Sequence, residues 1–122
     1  MRLLLDTHAF LWLAAGDERL VPSARALIDR ADSLVLSAAS VWEAEIKRAA
    51  GRLGAPPLAE AARRLGVDVL PVTAEHATAA AHLALHHRDP FDRMLVAQAR
   101  LEDLVLVTKD DALRRYGVPT AW

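Results

Sequence analysis

The sequence of 122 residues contains no cysteine. Thiol nucleophiles, zinc–thiolate sites and disulfide scaffolds are therefore excluded, and we expect a reducing, cytoplasmic location. Glycine and proline are also few, with 5 and 6 residues, which rules out collagen-like repeats. Because 53% of the residues are hydrophobic and 25% are charged, the composition does not fit a disordered chain. It predicts one compact domain over residues 1–122.

Long hydrophobic runs and a strong net charge are missing as well. Apolar runs such as residues 3–5 and 104–107 fall far short of the roughly 20 residues that cross a bilayer, so we expect no membrane association. The formal net charge of −1 gives no general attraction to nucleic acid, and any basic surface must be local. The high hydrophobic fraction of so small a chain favours an apolar partner or oligomer surface.

Continuous apolar runs alternate with helical stretches along the chain. The runs predict four strands buried on both faces, over residues 2–6, 33–37, 67–72 and 104–108, with a fifth, edge strand near residues 119–122. The helices are predicted over residues 7–15, 22–31, 38–50, 58–65, 75–85, 91–102 and 111–115. This alternation predicts a three-layer α/β/α domain with a mostly parallel sheet of four to five strands.

Acidic residues stand where the predicted sheet would form a site, outside the carboxyl ends of its strands. Asp6 ends the first strand and Asp110 follows the fourth. Glu43 lies about two turns into the helix after the second strand, although Lys47 one turn later makes a surface ion pair an equal reading. Asp92 extends the apolar stripe of the helix over 91–102, where an unpaired carboxylate is costly.

Each of these acids also has a simpler reading as a helix cap or as a charge favoured by a helix dipole. As a set at one sheet edge, however, they would repel one another and raise each other's pKa values. A bound divalent cation resolves this conflict. Oxygen ligands without thiolate or an HExxH helix suit Mg²⁺ or Mn²⁺, and such a site indicates metal-dependent phosphoryl hydrolysis.

The chain resembles PIN-domain ribonucleases, in particular the VapC-type toxins of toxin–antitoxin modules, in four stretches: LLLDTHAFLWLAAGD, SAASVWEAEIKRAAGRL, HHRDPFDRMLVAQARLEDLVLVTKD and YGVPTAW. The stretches span essentially the whole chain in the family's order. The resemblance implies a PIN-like fold and an Mg²⁺- or Mn²⁺-dependent endoribonuclease that leaves a 5′-phosphate and a 3′-hydroxyl. It also implies a VapB-type antitoxin as partner and a homodimer.

The resemblance also implies roles for individual acids. Asp6 and Asp92 would be the most direct metal ligands, and Glu43 and Asp110 would complete the site. Asp111 directly follows Asp110, which leaves open which of the two is the fourth acid.

Residues next to these acids are further candidates. Thr7 and Thr108 are expected to order water or a phosphate oxygen, and Arg93 is the first choice for an RNA contact because it adjoins Asp92 at a helix start. The loop histidines His86 and His87 are expected to be solvated more often than metal-bound.

Two tryptophans lie in helical stretches that are rich in leucine and alanine. Trp12 and Trp42 are therefore predicted to pack in the core or at an interface, and neither has the interleaved basic and aromatic pattern of a base-stacking platform. The helix around Trp12 is apolar almost all round, which favours a partner surface there. By the resemblance, that partner is an antitoxin or a second copy of the chain.

Two other functions stay open. A Mg²⁺-dependent phosphatase of small molecules is one, although His8 stands two residues after Asp6, where a haloacid-dehalogenase-like enzyme has a second Asp. A non-catalytic receiver-like module is the other, with Thr108 and Lys109 as a faint match. Its phosphoacceptor is missing, because Ser37 and Val72 end the other internal strands.

Overall fold

A computed structural model describes all residues from Met1 to Trp122. The chain forms five strands and seven helices. In chain order they are β1 (Arg2–Leu5), α1 (Thr7–Ala15), α2 (Pro22–Asp29), β2 (Ser33–Ser37), α3 (Ala38–Ala49), α4 (Leu58–Leu65), β3 (Asp68–Leu70), α5 (Ala74–Ala81), α6 (Pro90–Leu101), β4 (Val105–Val107), α7 (Asp111–Arg114) and β5 (Thr120–Ala121). No helix combines the length and the apolar character that a membrane span needs.

The five strands form one parallel sheet in the order β3-β2-β1-β4-β5. The central strand β1 has no solvent exposure at Leu3, Leu4 and Leu5, and these side chains alternate between two cores. Leu3 and Leu5 pack with residues of α1 to α4, whereas Leu4 packs with residues of α6 and α7. Helices therefore cover both faces of the sheet, which confirms the predicted three-layer α/β/α fold.

The register of the sheet brings three strand ends to one edge. Leu5 at the end of β1 pairs with Leu36 of β2 and with Val107 of β4. The next residue, Asp6, continues the ladder through its N–H, which donates to the Val107 carbonyl at 3.0 Å. Because parallel strands run the same way, Asp6, Ser37 and the residues after β4 all leave the sheet at this edge.

The third strand differs from its prediction. A strand buried on both faces was expected over residues 67–72, but β3 covers only Asp68–Leu70 and Val69 is 42% exposed. The expectation is wrong because β3 is an edge strand with β2 as its single neighbour. Helix α5 is likewise shorter than expected. It begins after Thr73, whose hydroxyl accepts the His76 N–H at 3.2 Å, and ends at Ala81.

Candidate metal centre and active site

The four predicted acids all lie on helices that begin at, or approach, the carboxyl edge of the sheet. Asp6 and Asp110 are the N-caps of α1 and α7, and one oxygen of each accepts a backbone N–H, from Ala9 at 2.7 Å and from Ala112 at 2.9 Å. The capping interpretation is therefore correct for these two residues. It uses only one of the two oxygens of each carboxylate, so it does not compete with a role at a metal site.

Electrostatic effects show that the structure brings these acids together. Burial, followed by the negative charge of Asp89, raises the pKa of Asp92 to about 7; His87 opposes the increase, and the charges of Glu43 and Asp6 contribute to it. Burial also raises the pKa of Asp6; the Thr108 hydroxyl, the Ala9 N–H and His8 lower it, and the charge of Asp110 adds a small increase. We call Asp6, Glu43, Asp92 and Asp110 the acid cluster.

Glu43 joins this cluster through a hydrogen bond from α1. Thr7 Oγ1 lies 2.8 Å from Glu43 Oε1 and 2.8 Å from Ser40 Oγ. A hydroxyl has one proton and a carboxylate only accepts, so the Thr7 proton goes to Glu43 and Ser40 is left to donate to Thr7. The predicted pair with Lys47 also exists, at 3.6 Å, but the Glu43 side chain is only 13% exposed and is no ordinary surface acid.

Thr108 fixes the other side of the cluster. Its side chain is fully buried, and its hydroxyl oxygen accepts the Asp110 N–H at 3.0 Å, which leaves the hydroxyl proton for Asp6. Both threonines named from the sequence therefore contact the acids. Their contacts orient carboxylates, and a role in ordering water or a phosphate stays a prediction.

His87 is a site residue that sequence reasoning missed. Its Nε2 lies 3.1 Å from Asp110 Oδ2 and 3.3 Å from Asp92 Oδ2, so the expectation that it is solvated is wrong. The three side chains could together hold a metal ion. However, His87 Nδ1 accepts the Asp89 N–H at 3.0 Å, so Nε2 carries the ring proton and donates to the carboxylates. His87 is therefore placed to orient Asp92 and Asp110, in the manner of groups that support metal ligands.

Arg93 does not point where the sequence suggested. It was expected to contact RNA beside Asp92, but its guanidinium closes the loop between α5 and α6. Both of its terminal nitrogens donate to this region, with acceptors at 3.0–3.3 Å that are Ala80 O, Leu83 O, Ala84 O, His87 O and Tyr116 Oη. Because these bonds occupy the guanidinium, Arg93 holds the loop that carries His87 and Asp89.

The structure also separates Asp110 from Asp111. Asp110 contacts His87 and acts on Asp6, whereas the Asp111 side chain is 88% exposed and faces Arg114 at 3.6 Å. Asp110 is thus the acid that lies at the cluster. Glu45 likewise points away from the cluster and pairs with Arg48 at 3.1 Å.

The donors of the acid cluster fit a hard divalent cation. All four offer carboxylate oxygens, and Asp6 and Asp92 are buried beside like charges that raise their pKa values. Lys47, beside Glu43, is the only lysine or arginine that pairs with an acid of the cluster, so most of its negative charge has no positive partner. Mg²⁺ and Mn²⁺ prefer such oxygen donors and would supply the missing charge.

Two cavities flank α1. The first, which we call the helix groove, has a volume of about 540 Å³ and is lined by aliphatic residues of α1 and α4 with Arg19, Lys47 and Arg52. The second, which we call the indole cavity, has a volume of about 590 Å³ and is lined by Asp6, His8, Trp12, Lys109, Asp110, Asp111 and Trp122. It shares Asp6 and Asp110 with the acid cluster.

The tryptophan predictions have mixed outcomes. Trp12 is half-buried and packs against the core, as expected. Trp42 is 65% exposed and meets Phe91 edge-to-face at 5.3 Å, so it is not a core residue, and its position at an interface stays a prediction. The absence of a basic and aromatic pattern around Trp12 is also contradicted, because Arg19 and Lys109 lie over its ring. These cations come from a loop and from beyond β4, so local sequence does not reveal them.

Fold and site together define an α/β/α domain with a cluster of carboxylates at the carboxyl edge of a parallel sheet. Residues 3–119 match the PIN domain family. The chain is also 36% identical to ribonuclease VapC22 of Mycobacterium tuberculosis, over 98% of this chain and 97% of that protein. The chain therefore belongs to the PIN domain family, as the sequence resemblance implied.

Solved structures agree on the fold. VapC20 of Mycobacterium tuberculosis, a Sarcin-Ricin loop cleaving toxin, matches with a TM-score of 0.69 and 23% identity over 95% of each chain. VapBC2 from Rickettsia felis, bound to a DNA fragment from their promoter, also matches with a TM-score of 0.69, at 12% identity over 99% of this chain and 98% of that one. At these identities the likeness concerns the fold alone.

The raised pKa of Asp92 predicts opposite effects of Asp92→Asn on stability and on metal binding. Between its ordinary pKa of 3.8 and about 7, Asp92 is ionised in the unfolded chain and protonated in the folded one, so it lowers stability as pH rises. At pH 8 without metal, we expect Asp92→Asn to raise the melting temperature, on the order of a few degrees. At pH 4 the difference should largely vanish.

The same variant should lose most of the melting-temperature increase that Mg²⁺ or Mn²⁺ gives the wild-type protein, because a ligand is gone. Differential scanning calorimetry in EDTA and in each metal measures both effects. Asp111→Asn is the matched control and should respond to metal as the wild type does. A metal-free Asp92→Asn protein that is less stable at pH 8 would contradict this account.

Proposed function

We propose that this chain is a divalent-metal-dependent endoribonuclease and the toxin of a VapBC-type toxin–antitoxin module, acting as a single domain over residues 1–122. The observation that carries the proposal is the acid cluster, in which Asp6, Glu43, Asp92 and Asp110 share one sheet edge and only Glu43 is paired with a lysine or arginine. The identity of 36% with a ribonuclease supports RNA as the substrate. The absence of a membrane-spanning helix agrees with a cytoplasmic site of action.

Asp6 and Asp92 would hold Mg²⁺ or Mn²⁺ most directly, since they are the acids whose pKa values are raised most clearly. Such a cation, when bound, lowers the pKa of water and offsets charge on a phosphate. Thr7 fixes Glu43, and His87 with Thr108 fixes Asp110, so the remaining oxygens are oriented before substrate arrives. In the reaction, a water oxygen bonds to phosphorus as the bond to the 3′ oxygen breaks, which leaves a 5′-phosphate and a 3′-hydroxyl.

The two alternative functions lose support. A small-molecule phosphatase of the haloacid-dehalogenase type would need an acid where the exposed His8 stands. A receiver-like module would use a single phosphoacceptor acid at the end of a central strand, a place that Asp6 occupies, but here Asp6 lies among three further acids. Membership of the PIN domain family over residues 3–119 favours neither function.

RNA cleavage tests the proposal directly. Purified protein without antitoxin should cleave structured RNA in Mg²⁺ or Mn²⁺, lose this activity in EDTA, and leave 5′-phosphate ends. Asp6→Asn and Asp92→Asn should each lower the cleavage rate by about a hundredfold or more, because each removes a negative oxygen from the metal site. Glu45→Gln, which changes an acid that points away from the cluster, should cleave like the wild type. Turnover of a phosphatase substrate alone, or RNA cleavage that persists in EDTA, would refute the proposal.

The helix groove is our proposed surface for a VapB-type antitoxin. Its floor is aliphatic, from Leu11, Leu53 and Leu58, and its rim carries Arg19, Lys47 and Arg52. An amphipathic segment with apolar and acidic side chains fits both features. We also propose a homodimer, which light scattering of the purified chain would measure.

Ala14→Trp should weaken antitoxin binding at least about tenfold, because it fills the groove from an exposed position on α1. Ala77→Trp, an equal change at an exposed position on α5, is the matched control. Titration calorimetry with the antitoxin encoded beside this chain measures both. Equal affinity of the two variants would show that the partner binds elsewhere.

A further inference from the structure

The indole cavity opens from the acid cluster and has a composition that the metal site does not explain. Of its lining residues, Asp6 and Asp110 belong to the cluster, and Trp12 and Trp122 supply its only apolar surface. Its volume of about 590 Å³ lies within the range of roughly 300–1,000 Å³ found for small-ligand sites. A ligand that joins a flat apolar group to a charged group would match both the indoles and the charged residues that line the cavity.

The two indoles are held in place by different parts of the fold. Trp12 lies on α1, where its ring is 5.7 Å from that of His8 one turn earlier. Trp122 is delivered by β5, which is fixed by a hydrogen bond from Thr108 N–H to Ala121 O at 3.1 Å. The indoles meet edge-to-face at 5.8 Å, and both are half-buried. Because each is anchored next to Asp6 or Thr108, the aromatic surface has a fixed position relative to the acid cluster.

Positive charge lies beside the same rings. Lys109 Nζ is 5.6 Å and Arg19 Cζ is 5.2 Å from the centroid of the Trp12 ring, both within the range of a cation–π contact. Arg19 is already paired with Asp17 at 2.7 Å. Lys109 is exposed and takes part in none of the ion pairs of the structure, so its ammonium is free to meet an anion.

Aromatic faces interleaved with cations are typical of surfaces that bind single-stranded nucleic acid, where bases stack and phosphates contact lysine or arginine. A protein helix is a poorer match, because it needs aliphatic side chains to pack against and the indole cavity has none. The helix groove, which shares His8 and Trp12 with the indole cavity, provides those aliphatic residues. The two rings and Lys109 of the indole cavity therefore favour RNA, beside the carboxylates of Asp6, Asp110 and Asp111 that also line it.

We propose that the indole cavity is a nucleotide subsite, in which an unpaired base next to the scissile phosphate stacks on Trp12 and Trp122 while Lys109 contacts the adjoining phosphate. This inference rests on the proposed ribonuclease function and adds to it a residue set for substrate recognition. It predicts that the enzyme prefers an unpaired nucleotide beside the bond it cleaves, since a paired base cannot enter the cavity.

The test compares two oligomers of equal charge, a short single-stranded oligouridylate and an abasic ribose-phosphate oligomer of the same length. Binding is measured by fluorescence anisotropy in an Asp92→Asn background, so that the RNA stays intact. Trp122→Ala should weaken oligouridylate binding by roughly tenfold, because it removes a stacking surface. It should leave binding of the abasic oligomer unchanged, since no base is present to stack.

Matched variants control for folding and for general loss of aromatic surface. Trp122→Phe and Trp12→Phe keep a ring in the cavity and should retain most of the base-dependent binding. Trp42→Ala removes an exposed tryptophan outside the cavity and should bind both oligomers like its parent. Lys109→Met should weaken the binding of both oligomers alike. The salt dependence of binding should fall by the amount that corresponds to about one phosphate contact.

Three results would overturn the subsite. Trp122→Ala could weaken the binding of both oligomers equally, or it could weaken the binding of neither. It could also alter only antitoxin binding or the oligomeric state, which would assign the indoles to a protein contact. Failure of the ribonuclease proposal is read separately, as absence of RNA cleavage by the wild-type protein. Cleavage by the wild type without a base-dependent effect of Trp122→Ala would reject the subsite alone.

Discussion

Mutual repulsion between buried carboxylates is the constraint on which this site depends. The parallel sheet delivers Asp6 and the residues after β4 to one edge, and α3 and α6 bring Glu43 and Asp92 to the same place. In the absence of a cation, burial first and the neighbouring negative charges second keep Asp92 protonated up to about pH 7. Without metal the acid cluster thus destabilises the folded protein, and a bound cation would stabilise it. This pattern is common at functional sites.

The side chains around the acid cluster serve this arrangement by orienting oxygens. Thr7 and Thr108 act from the ends of β1 and β4, and His87 acts from a loop that Arg93 fastens to Ala80 of α5 and to Tyr116, which follows α7. The two threonine hydroxyls are neutral, and the His87 N–H is shared between two carboxylates. These donors therefore orient the carboxylates but do not replace the charge of a cation. This explains why residues that look like metal ligands or RNA contacts in the sequence have supporting roles in the structure.

The sequence predicted those features that depend on local patterns. The apolar run before Asp6 fixed β1, and Gly16, with a left-handed φ of 63°, ends α1 at the predicted residue. Asp6, Glu43, Asp92 and Asp110 were found because acids after strands and on apolar helix faces are conspicuous. The roles of His87 and Arg93, and the existence of the indole cavity, were not predicted. Their contacts join residues far apart in the chain, such as Trp12 with Trp122. The exposure of β3 likewise depends on sheet order, which local pattern does not encode.

The most direct test of the metal centre is anomalous X-ray diffraction from crystals of this protein grown in Mn²⁺. The account predicts a single strong anomalous site, or a close pair of sites, coordinated by carboxylate oxygens of both Asp6 and Asp92, with His87 hydrogen-bonded to Asp110 outside the coordination shell. No ordered Mn²⁺ at saturating concentration, or a Mn²⁺ bound elsewhere while the two carboxylates face apart, would contradict it.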